Sequence, residues 1–187
     1  MYPPKFPYTV TTRKAFWEFA LSIVSYSDSA THRKFLDRIN PDKKHNDTCA
    51  SFWISCTRYT GSIEKLNGER IPKNIVHELE ISINLALYPA PFIDLIPYAV
   101  EHEIYECWCI AKNGINVSTE KHSHLLARRH QYRQQIKNGH MELDFQYTRF
   151  LKSHIGLKDE FFYAYEKATK IGALTGYKPI FSQSQNS

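Results

Sequence analysis

The clearest pattern along the chain is an alternation. Leu79, Ile81, Ile83, Leu85 and Leu87 are apolar, and Glu80, Ser82, Asn84 and Ala86 stand between them. A period of two is that of a strand with one buried face. Residues 51–57 are rich in β-formers and predict another strand. Between the two, residues 62–66 and 69–71 flank Asn67-Gly68, a pair suited to a type I′ turn, so a hairpin is expected there. Elsewhere the period is helical. Phe16, Phe19, Ala20, Ile23 and Val24 fit one helix face, with Thr11 or Thr12 as its cap. Residues 25–29 interrupt it. A second helix is expected over 32–39, stopped by Asn40-Pro41-Asp42 and followed by a charged loop over 42–47. Tyr88-Pro89-Ala90-Pro91 ends the alternating strand. A long helix should follow over 92–112, with Pro97 either kinking it or standing in its first turn. Ser118 or Thr119 caps the next, over 120–137, closed by Asn138-Gly139. Two more helices are expected, over 141–152 and 158–170. Helices, then strands, then helices imply the α+β class, with a small, mainly antiparallel sheet packed against several helices.

Length and composition narrow this further. The chain has 187 residues, 42% hydrophobic and 14% aromatic, enough for one domain with a real core. That domain is expected over 11–177, after a proline-rich extended arm at 1–10 and before a polar tail at 178–187 expected to be disordered. A net charge of +5 permits contact with nucleic acid without demanding it. No apolar run is long enough to span a membrane, and the start lacks the apolar stretch of a signal peptide. The expectation is a cytoplasmic protein with no membrane partner and reduced cysteines. Cys107 and Cys109 would point about 200° apart on a helix. Cys49 and Cys56 would face opposite sides of a strand. Four small buried hydrophobes is the expected role. The seven glycines form no dinucleotide fingerprint, which argues against nucleotide-cofactor chemistry.

The candidate chemistry lies in Val100-Glu101-His102-Glu103-Ile104-Tyr105-Glu106-Cys107-Trp108. Charged groups in so apolar a segment cost several kcal/mol unless paired, hydrogen-bonded or bound to metal. On a helical wheel Ile93, Ile96, Val100, Ile104, Trp108 and Ala111 make one face. Leu95, Tyr98, His102, Tyr105, Glu106 and Cys109 make the other. A helix apolar nearly all round is packed on both sides. His102 and Glu106 then sit one turn apart at an interface.

Residues at i and i+4 can bind one ion. The run His102-Glu103-Ile104-Tyr105-Glu106, preceded by a strand, resembles the active helix of zincin metallopeptidases, with Glu106 in place of the second histidine of H-E-x-x-H. The resemblance implies a divalent metal, zinc by analogy, on His102 and Glu106. It also implies Glu103 as general base in a hydrolase, with peptides as the default substrate.

A third ligand is expected from the next helix, where His122 lies nearest the apolar stripe of Leu125, Tyr132 and Ile136 and His124 is the alternative. Arg129 and Arg133 fall on or near the same stripe and could orient an anionic substrate, and Tyr105 could donate to an oxyanion. Two other readings compete. His102, Glu103 and Glu106 could form a buried salt-bridge network with those arginines, leaving a non-catalytic interaction module. Or Arg128, Arg129, His130, Arg133 and Lys137, with Tyr132 among them, could bind nucleic acid or serve a nuclease. Nothing in the chain specifies an oligomeric state.

Overall fold

In the computed structural model the described residues are 6–42, 48–58, 65–66, 69–70, 74–113 and 117–155. Residues 43–47 of the loop expected over 42–47, the turn at Asn67-Gly68, the helix over 158–170 and the tail lie outside them. The fold is α+β, with a four-stranded, mostly antiparallel sheet packed against helices.

Strand β6 (Asn74–Asn84) is the axis of the sheet. Strand β3 (Ala50–Arg58) runs antiparallel along one edge, with a register shift between Ser55 and Cys56. The other edge of β6 is divided between two short strands. Strand β1 (Tyr8–Thr9), part of the expected arm, pairs antiparallel with Val76 and Ile75. Strand β2 (Val24–Ser27) pairs parallel with Ile81 to Asn84. Strands β4 (Lys65–Leu66) and β5 (Glu69–Arg70) form the expected hairpin.

Strand β2 corrects the expectation that the first helix runs on to Val24. Helix α1 (Arg13–Leu21) starts at Thr12, whose hydroxyl accepts from the Ala15 N–H at 3.1 Å, and ends at Ser22. The Ser22 hydroxyl bonds back to the Phe19 carbonyl, and the β-branched Val24 joins the sheet. The Ser25 hydroxyl then donates to the Ile81 carbonyl of β6 at 3.0 Å. Helix α2 (Ser29–Ile39) begins earlier than its apolar pattern indicates, because Asp28 caps it by accepting from the Thr31 N–H at 2.7 Å. The alternation of β6 stops at Asn84. The Asn84 side chain accepts from the Ala86 N–H, and Leu85–Leu87 turn into a 3-10 helix.

The long helix also begins differently. Phe92–Leu95 is a 3-10 turn, and helix α3 (Ile96–Asn113) follows with Pro97 in its first turn. A 3-10 turn advances three residues per turn, so the wheel breaks before Ile96. Ile93, expected in the core, is 56% exposed for that reason. From Ile96 onward the pattern holds. Val100, Ile104, Cys107 and Ile110 are buried and pack with Ile54, Leu79, Ile81 and Phe16 in one core. Helix α4 (Val117–Lys137) packs on the other side of α3, and helix α5 (Met141–Ile155) closes the core with Tyr147 and Leu151. Between α4 and α5, Gly139 adopts φ +74°, the left-handed conformation of a helix C-terminus.

Ile104 has no exposed surface at the centre of this packing. Ile104→Ala should destabilise the fold by about 2–5 kcal/mol, read as a lower urea midpoint at unchanged slope. A loss under about 1 kcal/mol would show that α3 is not the helix on which the core is built.

Candidate metal centre

Helix α3 presents His102 and Glu106 one turn apart on the face turned from the sheet. Helix α4 returns antiparallel to it. His102 meets Gln131, whereas Glu106, further along α3, meets the earlier His124. Three donor atoms converge between the helices. His124 Nδ1 lies 3.0 Å from Glu106 Oε2 and 3.2 Å from His102 Nε2, and His102 Nε2 lies 3.4 Å from Glu106 Oε2. Donors about 2.0–2.1 Å from a tetrahedral ion stand roughly 3.3–3.4 Å apart, close to this triangle. His102, Glu106 and His124 form the only such cluster of metal-ligating side chains among the described residues. His102 and Glu106 are buried, while the His124 side chain is 41% exposed, so the triangle opens to solvent on one side.

Burial and the surrounding charges set the protonation of these groups. Burial and the nearby Arg128 guanidinium push His102 down to about 3, so its imidazole is neutral. Burial alone would raise Glu106, but its contacts with the two imidazoles outweigh that and hold it below the usual carboxylate range. Glu103 goes the other way. Burial and the Glu106 charge raise it to about 8 against the opposing pull of Arg128. No hydrogen-bond or ion-pair partner lies against the Glu103 carboxyl among the described residues. A strongly perturbed, unpartnered carboxyl beside a donor cluster is the pattern of an acid–base group.

The inward face of α4 differs from the apolar stripe that its sequence suggests. His124, Arg128, Gln131 and Gln135 recur at helical spacing and turn toward the interior, along with Tyr132. Arg128 Nη1 donates to Gln131 Oε1 at 2.9 Å, and that oxygen lies 3.0 Å from His102 Nδ1. Gln135 Nε2 donates to the buried Asp144 of α5 at 2.8 Å. Thus His124 joins the triangle, and the favoured His122 does not. His122 is exposed, about 200° round the helix from His124. Arg129 and Arg133 lie about 140° and 180° from His124 and pair with no α3 carboxylate among the described residues. Tyr105 stacks on His130 at 4.8 Å beneath the Arg13 guanidinium, beside Trp17 rather than at the triangle. The expected basic run is split as well. Arg128 and Tyr132 are 7% and 2% exposed, so that ring is not free to stack on a base. In the sequence Arg128 stands out only as part of the basic run, and Gln131 carries no motif signal. Their helical spacing from His124 could have found them.

No helix of the described residues is long and apolar enough to cross a membrane. No protein-family model matches the chain, and no curated protein or solved structure matches it either.

The raised Glu103 gives a stability signature. Folded, the carboxyl keeps its proton to about pH 8, and unfolded it releases it near the ordinary 4.5. The folded state binds more protons across that window, so stability falls as pH rises through it. His102 acts in the opposite sense, its contribution being lost as pH falls from 6.5 toward about 3. Above 6.5 the Glu103 slope stands alone of the two. Metal-free Glu103→Gln should therefore lose less melting temperature than the parent between about pH 6.5 and 8.5. Parallel curves over that range would show that Glu103 is not protonated in the fold.

Proposed function

We propose that this chain is a metal-dependent hydrolase whose divalent ion binds His102, Glu106 and His124 between α3 and α4. The observation that carries this reading is the donor triangle, with edges of 3.0, 3.2 and 3.4 Å. Two imidazoles and one carboxylate suit zinc, and three protein ligands with an open side suit catalysis rather than a closed structural site. Such an ion would lower the pKa of water and polarise the bond to be cleaved. The protein's own part falls to Glu103. Its carboxyl is protonated in the metal-free fold, and a divalent charge nearby favours the ionised form. In that form it takes a proton from the attacking water and returns it to the leaving group. The four free thiols favour a reducing compartment, and we place the protein in the cytoplasm.

Elemental analysis of untagged protein, beside His102→Ala, tests the site. About one equivalent of divalent metal is expected, and it should be missing from a folded His102→Ala. Glu103→Gln should keep the metal and lose roughly 10²–10⁴-fold in hydrolysis across a panel of peptide, ester and phosphodiester substrates. Protein that takes up no metal on reconstitution would remove the ion from the reading. A fully active Glu103→Gln would remove the role of Glu103.

A further inference from the structure

We infer that Gln131, held by Arg128, is a positioning residue that fixes His102 as its Nδ1–H tautomer and leaves Nε2 bare toward the donor triangle. The argument follows a chain of donors and acceptors. A guanidinium only donates. The Gln131 atom 2.9 Å from Arg128 Nη1 is therefore the amide oxygen and not the nitrogen, which fixes an amide orientation that atom positions alone leave open. An amide oxygen only accepts, so His102 Nδ1, 3.0 Å from it, carries the proton. In the neutral form of the ring, the Nδ1–H held by Gln131 is its one N–H. Its Nε2 is then a lone pair, and Nε2 is the atom 3.2 Å from His124 Nδ1 and 3.4 Å from Glu106 Oε2. With Nε2 bare, the proton shared with Glu106 comes from His124 Nδ1, at 3.0 Å.

Burial makes the arrangement binding. Arg128 and Gln131 are 7% and 6% exposed, so breaking either contact strands a polar group away from water. Without the amide oxygen, His102 is free to carry its proton on Nε2, inside the triangle, where it would oppose a cation. An amide orients the ring without adding charge. The triangle then keeps Glu106 as its single carboxylate, whereas a carboxylate at position 131 would add a second negative charge next to it.

The consequence for metal affinity rests on the proposed function. The tautomer itself does not, and the test keeps the two apart. Nitrogen–proton correlation spectra of metal-free protein at about pH 7 read the tautomer of His102 directly. The expected result is a protonated Nδ1 and a bare Nε2, lost or mixed in Gln131→Leu and restored in Gln131→Glu, which can still accept from His102. Zinc titration of the same proteins should then show about 10–100-fold weaker binding for Gln131→Leu and recovery in Gln131→Glu. A parent protein with its proton on Nε2, or on both nitrogens, overturns the inference without needing any variant to fold. A parent that binds zinc with the affinity of Gln131→Leu overturns the positioning role and leaves the metal reading standing. A parent that binds no zinc but shows protonated Nδ1 overturns the metal reading and upholds the tautomer.

Discussion

The structure depends on one constraint: α3 is buried on both sides. One side carries Val100, Ile104 and Ile110 into the apolar core. The other carries His102 and Glu106 against α4. Charged and polar groups buried at such a contact are stable only when they satisfy one another. That requirement selects what α4 presents in return. A leucine-rich stripe would strand Glu106, so α4 supplies His124, Arg128 and Gln131 at helical spacing. The sheet serves the same constraint from behind, since β3 and β6 hold the apolar side of α3 and fix which way His102 faces.

Within that contact, the pKa shifts divide the labour among five titratable or charged side chains. Burial and Arg128 keep His102 neutral, the imidazoles keep Glu106 ionised, and burial with the Glu106 charge keeps a proton on Glu103. Two carboxyls one helical turn apart are thereby pushed in opposite directions. Opposed pairs of this kind motivate the ligand and acid–base roles proposed for Glu106 and Glu103.

How much of this is legible from residues alone depends on whether the signal is local. Leu79, Ile81 and Ile83 alternate, and a one-sided strand needs nothing more to be read. The two-sided burial of α3 is equally plain, because almost no ordinary surface residue interrupts it. Strand β2 has no such signal. Its four residues follow a helix directly, and its partner β6 lies 57 residues on from Val24 to Ile81, beyond any periodicity. The inward stripe of α4 misleads outright. Histidine, arginine and glutamine at helical spacing look like a solvated face, so an apolar criterion favours His122 over His124. Polarity marks a surface only when nothing polar waits on the helix opposite.

The three donors lie closer together along the chain than the contacts that tie β2 to the sheet. Glu106 and His124 are 18 residues apart, whereas the Ser25–Ile81 bond that ties β2 to the sheet spans 56. Closing the shorter loop costs about 1 kcal/mol less conformational entropy, and contacts of low sequence separation form sooner. The helical hairpin that carries the donor triangle can thus assemble while the first strands are still searching for β6, and a fluctuation that peels β2 away leaves the donors together. In this chain the donor triangle is closed by a more local contact than the one that completes the sheet.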